Sequence, residues 1–246
     1  MSFDARGAAA DIELELRALG TPQRAGGEKA YLKSDLDFLG TTVPDIRRVA
    51  KRFVKEHSGL THDDLVSVVE ELWAAPIHER RMTAVVLLED HLPLLGYADL
   101  ALVERLIRSS KTWALVDALA AGVTGKIVLD HPPATSVLDR WGTDEDFWVR
   151  RSALLGGMAA LKRGADFGRF ARVAEPMIED KEFFIRKALG WVLRETSKKR
   201  PAEVAAWMAP RTHRLSGVTM REAVKYLEPQ QRFRLVEAYK ARKPTD

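Results

Sequence analysis

The sequence predicts an all-helical protein built as a solenoid of stacked helix pairs, and three observations carry that expectation. Apolar residues recur at helical spacing along nearly the whole chain, punctuated by capping and breaking residues. Alternating β-type runs are scarce, with residues 123–129 (VTGKIVL) the one doubtful case. Arginine-rich helical segments return with a period in the mid-thirties.

Taken in order, residues 4–19 read as a helix with Ile12, Leu14, Leu16 and Leu19 among its apolar positions. Residues 21–27 (TPQRAGG) read as a breaker cluster. Residues 30–38 read as a helix stopped by Gly40, and Pro44 suits the first turn of the next one, which carries Arg47, Arg48, Lys51 and Arg52. Thr61 with Asp64 three residues on forms a capping pair that opens a helix reaching Trp73. Further helices are expected over 77–91, 98–108, 112–121, 133–141, 144–162, 166–174, 181–197, 201–208, 218–227 and 229–241.

The repeat is seen in FWVRRSA from Phe147 and FFIRKAL from Phe183, with VTMREAV from Val218 continuing the series. HERRMTA from His78 and IRRVA from Ile46 fit upstream. Repeated helices of one kind line up in one layer of a solenoid. Arg47, Arg48, Arg80, Arg81, Arg151 and Lys187 would then recur along a concave basic cleft suited to a phosphate backbone. Each arginine pair taken alone also fits solvated helix surface. Arg151 falls near the apolar stripe of its helix, so it either snorkels or is held for a carboxylate or phosphate.

Two stretches stand out. In residues 111–117 (KTWALVD), Leu115, Val116 and Leu119 share a stripe, while Trp113 and Asp117, four apart, stack on another face. In residues 183–195 (FFIRKALGWVLRE), the stripe is Phe184, Ile185, Ala188, Leu189, Val192 and Leu193. Trp191 lies off its centre, on a face shared with Lys187 and Arg194. Both tryptophans can simply pack on neighbouring helices. With a carboxylate beside one and cations beside the other, a ligand-facing role is the second reading.

Composition bounds the function. The 246 residues suffice for one large domain, and we expect a single domain over 1–246. The net charge of +4 and pI near 9.3 permit a polyanionic partner without requiring one. With no cysteine, disulfides, thiolate nucleophiles and zinc–cysteine sites are excluded. The six histidines lack metal-ligand spacing, and neither a phosphate-cradling glycine loop nor a serine nucleophile elbow is present. We therefore expect no metal and no cofactor. No apolar run approaches a membrane span and the amino terminus does not read as a signal peptide, so no membrane partner and a cytoplasmic location are expected. What remains is a carboxylate among tryptophans and cations. That set suits a cationic transition state such as the oxocarbenium-like one of N-glycosidic cleavage.

On these residues the chain resembles the AlkD family of DNA alkylation repair glycosylases, built from HEAT-like repeats. The match includes YLKSDLDFLG from Tyr31 followed by Pro44, ELW from Glu71 followed by Pro76, residues 111–117, WVRR from Trp148, and residues 183–195. The resemblance implies that Asp117 is the catalytic carboxylate and that Trp113 and Trp191 contact the deoxyribose of the lesion. It implies that Arg151 grips backbone phosphate and that Tyr31 lines the cleft. It implies a monomeric enzyme that removes cationic N3- and N7-alkylpurines from duplex DNA without pocketing the base, and so tolerates bulky adducts. Arg48, Arg81, Lys187 and Arg194 join the expected DNA contacts. Two departures bear on those contacts. Thr42 stands where the family has a glutamine near the DNA. Ala159 replaces a cleft lysine, for which Lys162, one turn on, can substitute. Two rival readings are a catalytically silent module that binds DNA structures and a protein-binding helical scaffold.

Overall fold

A computed structural model describes residues 3–241. Among them the secondary structure is helical apart from one isolated parallel bridge between Asp37 and Ile77. No helix there is long and apolar enough to cross a membrane. The chain forms two compact units, Met1–Val123 and Thr124–Asp246.

In the first unit, α1 (Ala5–Leu19) packs on α3 (Val43–Glu56), α4 (His62–Ala74) and α5 (His78–Asp90). α5 is its centre, burying Ala84 to Leu88 without interruption. The expected Thr61 cap is present: its hydroxyl accepts from the amide of Asp64, whose carboxylate takes the Thr61 amide in return.

One expectation is corrected here. Residues 21–27 are not a break; α2 runs Pro22–Leu32, and the expected helix over 30–38 is replaced by its end and an irregular segment. Thr21 caps α2, Pro22 supplies the preset φ of a first turn, and the glycine pair is carried along inside. The helix ends where Lys33 turns left-handed at φ 49°. The segment that follows is tied down from α5. Buried Glu79 accepts from the amides of Leu39 (2.9 Å), Gly40 (2.7 Å) and Thr41 (3.3 Å), satisfying donors that lie outside any helix ladder. Gly40 sits at φ 80°, and a β-carbon there would collide with the Thr21 carbonyl and the Ala25 amide.

After α6 (Leu100–Ser109), the short α7 (Trp113–Asp117) widens into a π-helical segment, Ala118–Thr124. The doubtful residues 123–129 are helical too: α8 spans Gly125–Asp130.

In the second unit, α10 (Phe147–Gly156) packs on α9 (Thr135–Trp141), α12 (Phe167–Ala174) and α13 (Phe183–Ser197). The expected helix over 144–162 is interrupted at Gly157, after which α11 (Met158–Lys162) follows. α13 in turn packs on α11, α14 (Pro201–Met208) and α15 (Gly217–Ala223), and α14 on α16 (Pro229–Lys240).

The sequence period reappears as a period of contacts. Trp73 donates to Ser109, 36 residues on, and Arg105 pairs with Glu70, 35 away. Arg211 pairs with Glu175 (36), Arg214 with Glu179 (35) and Lys187 with Glu222 (35). Bonds at one repeat length are what stacked neighbouring repeats produce. The repeats also share a local device. Arg81, Arg150 and Arg186, each the fourth residue of its helix, donate to the carbonyl six residues back: Ala75 (3.2 Å), Asp144 (2.7 Å) and Asp180 (2.7 Å). Asp144 and Asp180 also accept from the amides of Asp146 and Glu182, which cap α10 and α13. Arg150 reaches from one repeat to the carboxylate of Asp180 in the next (3.0 Å).

Candidate DNA-facing site

In the first unit the site grows from the turn before α7. Thr112 caps this helix, accepting from the Ala114 amide. The preceding Lys111 holds a left-handed φ of 57°, which turns the chain sharply into the helix. Leu115, Val116, Leu119 and Ala120 are fully buried. Trp113 and Asp117 remain half-exposed, as their offset from the apolar stripe requires. Tyr31, at the end of α2 and 71% exposed, brings its ring edge-on to the Trp113 indole at 5.9 Å and 80°. Directly after Asp117 the backbone adopts the π-helical turn, a form that concentrates at functional positions.

In the second unit, α13 presents Trp191 half-exposed between Lys187 one turn before it and Arg194 after it. Ile185, Ala188, Leu189, Val192 and Leu193 are buried beneath. Both cations are held by Glu222 of α15: Lys187 Nζ lies 2.8 Å from Oε1, and Arg194 Nη1 donates to Oε2. Lys225 adds a third cation at 3.0 Å. Burial pushes the Glu222 carboxyl up. The hydrogen bonds from Lys187 and Lys225 and the charges of Lys187 and Arg194 overcome that and hold it down at about 2. Glu222 gave no signal in the sequence beyond its place in the third copy of the repeat.

Arg151 is held in the interior of the second unit. It is 3% exposed, so it does not snorkel; its guanidinium donates to the Phe184 carbonyl and lies 5.8 Å over the Phe184 ring. The Phe184 ring in turn packs on those of Trp148 (4.9 Å) and Phe147 (6.3 Å).

Four expected DNA contacts have partners within the protein. Arg81 is 8% exposed, donates to the Ala75 and Ser109 carbonyls and stacks over Trp73 at 5.3 Å. It is therefore corrected to an interior clamp. Its repeat equivalents are Arg150 and Arg186, one residue before Arg151 and Lys187, so the expected row of cations was out of register. Thr42 is the N-cap of α3, donating to the Asp45 carboxylate at 2.7 Å. Arg48 is exposed and pairs with that same Asp45. Lys162, also exposed, lies 3.3 Å from Glu195. Among the described residues, no three His, Asp or Glu side chains converge as metal ligands.

Helix upon helix at one repeat length, with an aromatic-carboxylate turn in one unit and an aromatic-cation face in the other, defines an all-helical repeat protein. The profile of the DNA alkylation repair enzyme family matches residues 12–227, and the chain belongs to that family. A predicted DNA alkylation repair enzyme from Enterococcus faecalis superposes with a TM-score of 0.78 at 26% identity, over 85% of this chain and 97% of that one. AlkD2 from Streptococcus mutans shares the fold at a TM-score of 0.67 and 15% identity, over 92% of this chain and 100% of that one. A second Streptococcus mutans protein, smu.31, does so at a TM-score of 0.62 and 15% identity, with the same coverage. No curated protein matches the sequence.

Proposed function

We propose that this protein is a monofunctional DNA glycosylase that hydrolyses the N-glycosidic bond of cationic N3- and N7-alkylated purines in duplex DNA. The observation that carries the reading is the half-exposed Asp117 one helical turn below Trp113, with Tyr31 set against the same indole. Departure of the base builds positive charge on the deoxyribose. A fixed carboxylate stabilises that charge and orients the attacking water. The indole face supports the sugar and attracts the cation. An alkylated purine already carries positive charge, so it leaves without a proton donor, which restricts the activity to cationic lesions. No lysine is assigned as a Schiff-base nucleophile, so the product is an abasic site in an intact strand.

Trp191 is assigned to the same reaction by the resemblance, with Lys187 and Arg194 beside it as phosphate contacts. We read residues 1–246 as one functional domain acting as a monomer. The test is single-turnover base release from a duplex with one N7-methylguanine, with bulkier cationic adducts alongside. Well-folded protein that binds duplex but releases no cationic base would leave a silent DNA-binding module. Absence of duplex binding would leave a protein-binding scaffold.

A further inference from the structure

Glu222 is an unexpected acid. It is 8% exposed, on a helix that would otherwise add only positive charge to the face of α13, and it is engaged by Lys187, Arg194 and Lys225 together. Its placement depends on Gly190. A β-carbon at Gly190 would stand 2.8 Å from the Glu222 Cβ and 3.1 Å from the Thr219 Cα, so α15 reaches α13 only because residue 190 has no side chain. The crossing is pinned by the Thr219 hydroxyl, which donates to the Arg186 carbonyl at 3.0 Å. Gly190 immediately precedes Trp191, so the close approach falls on the same turn of α13 as the half-exposed indole.

We propose that Glu222 is a positioning residue for the DNA-facing surface of α13: it holds Lys187 and Arg194 in fixed places flanking Trp191 and restrains them from gripping undamaged duplex. This inference rests on the DNA glycosylase reading above. Long cationic side chains left to themselves sample many rotamers and bind any phosphate in reach. A shared carboxylate removes that freedom and offsets one positive charge. A phosphate can still bind, since Glu222 has one charge against three. The other acid beside this cluster, Glu195, lies 3.5 Å from Arg194 Nε and is itself engaged by Lys162 and Lys198. The excess over the whole set therefore remains positive.

The experiment compares wild type, Glu222→Gln, Lys187→Gln and the double variant for binding to undamaged duplex across a salt series. The same duplex carrying N7-methylguanine is used for single-turnover release. Glu222→Gln keeps an acceptor but loses the charge. The expected result is several-fold tighter binding to undamaged duplex and a salt slope steeper by about one, the increment of one added phosphate contact. The gain disappears when Lys187 is also Gln. A residue that only supports the fold would lower the melting temperature and weaken binding without steepening the slope, and that result would overturn the inference. If the Gln variant does not fold, Glu222→Asp replaces it. The shortened acid keeps the wild-type slope and slows base release if position matters; unchanged release overturns the proposal. Wild type that binds no duplex or releases no base defeats the glycosylase reading itself. Wild type that does both, beside a Gln variant with unchanged affinity and slope, defeats the Glu222 inference alone.

Discussion

The ring of Tyr31 meets the indole of Trp113 edge-on, with centroids 5.9 Å apart and planes at 80°. The two residues come from different helices of the first unit, and Trp113 stands one helical turn before Asp117. Because Tyr31 is mostly exposed, Tyr31→Ala should cost the fold no more than about 1.5 kcal/mol, the range of an aromatic pair. Base release should slow by about tenfold as the indole loses its support. Thermal melts beside single-turnover release separate the two effects; release at the wild-type rate would show that Trp113 needs no brace.

Asp117→Asn retains the shape and removes the charge that faces the developing oxocarbenium ion. Folding and duplex affinity should stay near wild type, and release of N7-methylguanine should slow on the order of a hundredfold. Equal single-turnover rates for the two proteins would take Asp117 out of the mechanism.

Arg151 is buried with its guanidinium on the Phe184 carbonyl and ring. Arg151→Ala leaves that buried carbonyl without this donor and opens space in the aromatic cluster. A loss of about 1–3 kcal/mol in urea unfolding is expected. A variant as stable as wild type would mean that the buried position contributes nothing to folding.

Gly190→Ala forces the new β-carbon against Glu222 and Thr219 at the crossing of α13 and α15. Overpacking of this kind costs about 1–3 kcal/mol. The same change should perturb Lys187 and Arg194 through Glu222, visible as an altered salt slope. A fully stable Ala variant would show that the helices part without penalty.

Acid should weaken the second unit through Glu222. Its folded pKa of about 2 lies below the ordinary 4.5, so the folded state favours the charged carboxylate. The contribution is complete above about 4.5 and is lost as pH falls toward about 2. Urea midpoints measured down this range should drop for wild type and drop less steeply for Glu222→Gln. Parallel curves would mean that the cation cluster adds no acid sensitivity.

The sequence by itself determined what depends on neighbours along the chain. The Thr61–Asp64 cap and the off-stripe placement of Trp113, Asp117 and Trp191 follow from helix geometry, in which residues three and four apart must meet, and the recurrence near 36 residues is written directly in the chain. A fixed repeat of helices further requires contacts at one repeat length, and these are present. Tertiary structure alone decided which side chains are spent internally. Arg81 and Arg48 are both helix arginines; one is drawn inward by the carbonyls of Ala75 and Ser109, the other stays outside with Asp45. Glu79 acquires its role from amides 38 to 40 residues away, and Glu222 from Arg194 and Lys187, 28 and 35 residues away, brought close by packing. The start of α2 at Thr21 likewise leans on Gly40 and the segment that Glu79 ties down. A buried charge or open amide must find whatever partner the packed helices bring within about 3 Å, and the local pattern of the chain does not specify that partner.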